Sequence, residues 1–129
     1  MFTHLTPPTS IVIAPSEIHG WGVFAKEDII SGSVLEECPF HPFASEEDLP
    51  KYTYFFPYEM GVSKGICWGF APLYNHNIDP NAGYYFNIEN STLIFKALKN
   101  ISQGEEIFIR YRKKGEECLA PEYLGRIFK

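Results

Sequence analysis

Side chains capable of chemistry gather at three places along the 129 residues. The first lies in the stretch Ala71 to Asn81, reading Ala-Pro-Leu-Tyr-Asn-His-Asn-Ile-Asp-Pro-Asn. Asn75 and His76 put an amide beside an imidazole, and with their main-chain groups they could offer donors and acceptors to a heterocyclic ligand. Asn and Asp ahead of a proline are equally what a turn uses, because Pro80 lacks an N–H and biases Asp79 away from helix. The second place is Glu105-Glu106. Neighbours in a strand point to opposite faces, which excludes a paired-carboxylate acid–base site, and neither receives a catalytic role; at least one is expected to be solvated or tied to a turn. The third is Tyr111, whose phenol can serve a reacting group or simply cap a sheet with its ring in the core. A metal centre is not expected. His4, His19 and His41 have no ligand spacing with His76, and Cys38, Cys67 and Cys118 are odd in number, far apart and without a C-x-x-C.

Two flanking segments give these residues a context: His19-Gly-Trp-Gly-Val-Phe-Ala25 upstream and Gly104-Glu-Glu-Ile-Phe-Ile-Arg-Tyr111 downstream. Gly-Trp-Gly-Val-Phe-Ala, then Asn-His-x-x-x-Pro-Asn, then Gly-Glu-Glu-Ile-x-x-x-Tyr, in that order, resembles the SET domain of protein lysine methyltransferases, over about Ser10 to Tyr111. It is similar to the small stand-alone SET proteins of minimal viral or bacterial type. The resemblance implies a mainly β fold of several small sheets, with a C-terminal segment threaded in a pseudoknot-like manner. It implies one domain over 1–129, its core at about 10–112 and 113–129 packing as a tail near the site. It further implies S-adenosyl-L-methionine as cofactor and, as substrate, the side-chain amine of a lysine in a protein or peptide, such as a histone or another basic protein.

By the same resemblance Tyr111 is the catalytic tyrosine. The main chain of His19, Gly20, Trp21 and Gly22 cradles the methionine end of the cofactor, and Asn75 and His76 hold its adenine. Leu49-x-x-Tyr52-x-Tyr54 is similar to the family's L-x-x-Y-x-F, whose first tyrosine borders the site; that role goes to Tyr52, with Tyr54 as the alternative. Tyr123 and Phe128 are the candidates for roofing the cofactor. The chain departs from the family pattern at Asn77, where Ser is usual after Asn-His, and at Arg110, where Asp is common. Ile109 stands where an aromatic residue limits the number of methyl groups, so product number stays open. The other readings are a catalytically weak cofactor- or peptide-binding SET-like module, and a small β interaction protein.

Composition bounds the alternatives. A hydrophobic share of 45% with 16% aromatics argues for a packed globule, and 129 residues suit one core. A net charge of -5 offers no basic surface for nucleic-acid binding and would attract a Lys-rich protein tail. Residues 1–10 lack the pattern of a signal peptide, and no apolar run is long enough to span a bilayer. With free thiols expected, the reading is an intracellular protein without structural zinc; a homodimer would cover exposed apolar edges.

The elements that must position the candidates read mostly as strands. Ile11-Val12-Ile13 and Gly22 to Lys26 form two strands around a loop at 16–20, with Gly20 and Gly22 bracketing the bend at Trp21. Ser31-Gly32 turns into a strand over Ser33 to Cys38 that Pro39 and Pro42 are expected to end. Ser45 to Leu49 reads as a short helix start, and the aromatic run Lys51 to Tyr58 as core or edge strand. Ile66 to Tyr74 reads as a strand followed by one helical turn. Ala82 to Ile88, Thr92 to Leu98 and Glu106 to Arg110 complete the strands, with Ile107 and Ile109 on one face.

Overall fold

The structure, a computed structural model, describes residues 4–42, 56–58, 63–87 and 89–111. The expected helix start at Ser45, along with Tyr52, Tyr54, Cys118, Tyr123 and Phe128, lies outside the described residues. Strand β1 (Ile11–Pro15) and strand β2 (Trp21–Ala25) form an antiparallel hairpin, in register from Ile11 opposite Ala25 to Pro15 opposite Trp21. Its loop closes through the Ser16 amide, which donates to the Gly20 carbonyl at 2.7 Å. Gly20 has φ +47°, a left-handed conformation that side chains with a Cβ adopt at a cost.

Strand β3 (Val34–Pro42) is longer than expected, since Pro39 does not end it and the strand runs on to Pro42. The reason is a change of partner. Up to Pro39 it pairs with β8 (Thr92–Ala97), and from Phe40 onward with β5 (Ser63–Cys67). Pro39, which has no N–H to give, therefore falls where one ladder hands over to the other, and its carbonyl accepts from the Trp68 amide at 2.9 Å. With β4 (Phe56–Tyr58) and β7 (Ala82–Asn87), these strands make a sheet of order β4-β5-β3-β8-β7.

A second sheet has the order β1-β2-β9-β6. Strand β9 (Glu106–Ile109) lies antiparallel to β2 on one side and parallel to the two-residue β6 (Asn75–His76) on the other, Asn75 facing Phe108 and His76 facing Ile109. This parallel pairing brings the middle and last motifs of the chain side by side. Asn81 continues the ladder with its side chain: its Nδ2 donates to the Glu106 carbonyl at 3.0 Å, and its Oδ1 accepts from the Phe108 amide at 2.8 Å. A three-residue 3-10 turn, Ala71–Leu73, precedes Tyr74 and leads into β6. Apolar residues of both sheets, among them Val23, Tyr74, Phe86, Phe95, Ile107 and Ile109, share one core. Among the described residues no helix is long and apolar enough to cross a membrane.

Candidate active site

Asn75 is buried at the start of β6, and its amide joins two of the three motifs. Nδ2 donates to Glu106 Oε2 at 2.8 Å, with the carbonyl oxygens of His19 and Trp21 at 3.1 and 3.3 Å. Two N–H bonds are thus shared among three acceptors, which ties the glycine bend and the carboxylate of β9 to one side chain. The second carboxylate oxygen, Glu106 Oε1, accepts from Ser16 Oγ at 2.7 Å. Ser16 Oγ in turn accepts from the amides of Ile18 and His19 at 3.0 and 3.4 Å, setting the loop that presents Gly20.

Gly22 explains why this packing needs a glycine without a left-handed backbone. A Cβ there would overlap Glu106 Oε2 and stand 3.1 Å from Ser16 Cβ. Gly20 is the opposite case: no atom lies within 4 Å of the position its Cβ would take, so the backbone there can be approached closely. His19, Gly20 and Trp21 are exposed, the Trp21 ring by 59%.

Tyr111 follows β9 and is fixed at both ends. Its amide donates to His76 Nδ1 at 2.9 Å, which leaves the imidazole proton on Nε2, and the two rings lie 5.2 Å apart. Its hydroxyl donates to the main-chain carbonyl of Tyr74, the residue before Asn75. The phenol oxygen thereby sits against the turn that delivers the Asn-His pair, while the residue as a whole is 40% exposed.

Of the residues singled out from sequence, His19, Trp21 and Asn75 are joined by hydrogen bonds, Gly22 packs on Glu106, and His76 meets Tyr111. Glu105 is the carboxylate tied to a turn, accepting from the Ser102 amide at 2.8 Å. Asn77 closes a turn of its own, Oδ1 accepting from the Asp79 amide at 2.9 Å. No three His, Cys, Asp or Glu side chains among the described residues are grouped to hold a metal ion.

These features match known proteins. The SET domain family model matches residues 20–112. The chain belongs to the SET domain family. A histone-lysine N-methyltransferase of Schizosaccharomyces pombe, H3 lysine-37 specific, is 29% identical to it over 107 residues, 77% of this chain and 71% of that protein. The crystal structure of a candidate histone methyltransferase of Plasmodium falciparum superposes with a TM-score of 0.67 at 30% identity, over 84% of this chain and 96% of that one. A humanized Polycomb Repressive Complex 2 of Chaetomium thermophilum, bound to the inhibitor GSK126, shares the fold with a TM-score of 0.67 at 22% identity, over 82% of this chain and 15% of that one.

Sequence reasoning missed four residues that shape this SET domain: Ser16, Glu36, Tyr74 and Glu106. Glu106 receives no role from sequence because alternation only separates it from Glu105; with Ile107 and Ile109 on the core face, Glu106 falls on the other face with Phe108, and no local signal marks its bonds to Ser16 and Asn75. Glu36 is 6% exposed, and Tyr74 Oη donates to its Oε1 at 2.8 Å. Burial pushes the Glu36 carboxyl above its ordinary value, while hydrogen bonds from Tyr74, Cys38 and the Phe70 amide pull the other way. Cys38 and Cys67 are free and buried, as expected, yet they border this carboxyl rather than a wholly apolar core. A hydrogen bond with Cys67, burial and the nearby Glu36 all push the Cys38 thiol up, so it is not a reactive thiolate.

Proposed function

We propose that this SET domain transfers a methyl group from S-adenosylmethionine to the side-chain amine of a lysine in a protein substrate. The observation that carries the reading is the meeting of the Tyr111 hydroxyl with the main chain at Tyr74–Asn75, the same short segment whose Asn75 amide holds the glycine bend. Kinship with a histone-lysine methyltransferase supports a protein lysine as acceptor.

The residues present suit such a cofactor at three points. The main chain at Gly20 is open to close approach, the Asn75-His76 pair supplies polar groups for a heterocycle, and the Tyr111 ring lies beside His76. When bound, the sulfonium supplies an electrophilic methyl; the acceptor must supply a neutral amine held in line with it. A free lysine, with a pKa of ~10.4, is almost wholly protonated at neutral pH, and each unit of downward shift is worth ~1.4 kcal/mol. An apolar channel beside a positive charge lowers that pKa by desolvation and like-charge repulsion, so no carboxylate base is needed. Tyr74, whose carbonyl receives the Tyr111 hydroxyl, is fully buried, so that side of the hydroxyl is shielded from water. A phenol that donates to a carbonyl keeps acceptor capacity on its oxygen, and that oxygen would orient the amine through one of its N–H bonds.

The test is incorporation of tritiated methyl from S-adenosylmethionine into histone H3 and other basic proteins, comparing wild type with Tyr111→Phe. Label enters protein with the wild type, and the variant loses on the order of 10²-fold in rate, the usual effect of removing one preorganised hydrogen bond. S-adenosylhomocysteine raises the melting temperature of both proteins, because a ligand that binds only the folded state stabilises it. Binding without transfer by the wild type would favour a cofactor-binding module; neither binding nor transfer would refute both.

A further inference from the structure

We propose that Glu36 and Tyr74 act as positioning residues for the Tyr111 hydroxyl, the carboxyl group of one sheet bracing the turn whose exit carbonyl receives that hydroxyl. The inference rests on the methyl-transfer reading for its kinetic consequences, though not for its geometry.

Glu36 reaches from β3 to both ends of the turn around Ala71–Leu73. Oε1 accepts from Tyr74 Oη at 2.8 Å on the far side of the turn, and Oε2 accepts from the Phe70 amide at 3.3 Å on the near side. The turn is closed internally by the Leu73 amide donating to the Phe70 carbonyl at 2.8 Å. At Tyr74 the chain leaves the turn in an extended conformation, φ −67° and ψ 124°, and that ψ sets where its carbonyl points. The Tyr74 ring cannot swing to accommodate another ψ, because it lies stacked on Phe95 with centroids 4.7 Å apart and planes 12° from parallel. Stacking, phenol and turn thus hold one peptide unit, and the oxygen of that unit is the acceptor for Tyr111. Gly69 keeps the place clear: a Cβ there would stand 3.0 Å from Cys38 Sγ and 3.1 Å from Glu36 Oε2.

Stability alone is a poor reason for this arrangement. The titratable groups facing Glu36 are Tyr74 and Cys38, with Cys67 against Cys38, and among the described residues no cation is paired with it. Burying a carboxyl without a cation costs desolvation, whereas a fixed direction for a distant carbonyl needs directional bonds.

Three substitutions separate the parts: Tyr74→Phe keeps the ring stack and the carbonyl but removes the phenol; Glu36→Gln keeps one acceptor oxygen; Glu36→Ala removes both. Each is made in the full chain carrying ¹³Cζ-labelled tyrosine, and two readouts are taken. In the first, the Tyr111 ¹³Cζ resonance, identified by its loss in Tyr111→Phe, moves in Tyr74→Phe and Glu36→Ala and moves less in Glu36→Gln. In the second, kcat for methyl transfer falls by roughly tenfold to a hundredfold in Tyr74→Phe, as small misplacements of reacting groups do, with KM unchanged. On a Tyr111→Phe background, Tyr74→Phe costs no further rate, because the hydroxyl through which it acts is gone. A merely structural role would leave the loss in place there. An unmoved Tyr111 resonance in both Tyr74→Phe and Glu36→Ala overturns the proposal whatever the activity. A moved resonance with an inactive wild type upholds the positioning and refutes the methyl-transfer reading.

Discussion

Replacing Gly22 with alanine should damage this protein through one side chain, that of Glu106. The backbone at Gly22 does not require a glycine, since its φ is not in the left-handed region. The added methyl would instead overlap Glu106 Oε2 and come within 3.0 Å of Glu106 Cδ. Restoring ordinary contact moves the carboxylate by about 1 Å, which stretches its bonds from Ser16 Oγ (2.7 Å) and Asn75 Nδ2 (2.8 Å) past the useful hydrogen-bond range. Two half-buried bonds to a charged group, each worth ~1–1.5 kcal/mol here, give an expected loss of about 2–3 kcal/mol. The loss is read from the urea midpoint at constant m-value. The decisive arm is the cycle with Glu106→Ala: with the carboxylate gone, Gly22→Ala should cost almost nothing, a coupling of about 2 kcal/mol. Gly20→Ala is the control. Its cost of ~1–2 kcal/mol comes from backbone strain alone and should add to Glu106→Ala without coupling. Additivity of Gly22→Ala with Glu106→Ala within about 0.5 kcal/mol would refute the reasoning.

Three further outcomes follow from the same structure. Ser16→Ala removes the donor to Glu106 and the acceptor for the Ile18 and His19 amides, so stability falls by about 1 kcal/mol and hydrogen exchange at those two amides speeds up. Asn81→Ala removes both side-chain bonds to β9 and costs about 2 kcal/mol, and Asn81→Asp, which keeps the acceptor for the Phe108 amide but turns an acceptor oxygen toward the Glu106 carbonyl, should not recover that loss; thermal unfolding of both variants checks this. Glu36 gives stability a pH dependence. Its folded-state pKa lies above the ordinary 4.5, so as pH rises from there the unfolded chain releases its proton first and the native state binds more protons. The Glu36 contribution is therefore fully present below that value and is lost as pH climbs through the folded pKa; Glu36→Gln should flatten this part of the profile relative to wild type.

The strands were legible because alternation and turn residues speak locally. Ile107 and Ile109 point inward as their spacing requires, and the hairpin closes around the glycine bend. The site was legible only as three separate motifs. What joins them is long-range: Asn75 reaches back to His19 and Trp21, and Glu106 reaches Ser16 across nearly the whole chain. No periodicity encodes such pairs, and in Glu105-Glu106 two identical side chains stand next to each other, one tied to a turn and one half-buried against Asn75 and Ser16.

Glu36-Glu37 poses the same choice, and there a local reading gives the wrong answer for a definite reason. Buried Leu35 would, by strict alternation, send Glu37 inward beside it and Glu36 outward. The ladder between β3 and β8 instead slips between Val34 and Glu36, a bulge that makes one extra residue oppose the partner strand. Leu35 and Glu36 are consequently both buried, and from Glu36 on the inward set becomes Glu36, Cys38 and Phe40. Glu37 is left among Thr92, Asn87 and Asn90, whose side chains hydrogen-bond to its carboxylate. The pairing of Glu36 with Phe95 thus decides which of two adjacent glutamates reaches Tyr74, and through it the carbonyl that receives the Tyr111 hydroxyl, while the bulge lets Leu35 be buried beside it. Removing Leu35 should close the bulge while the pairing from Glu36 opposite Phe95 onward stays in place, so Glu36 should keep its bond from Tyr74, and the cost, read from thermal unfolding, should be the lost burial of Leu35.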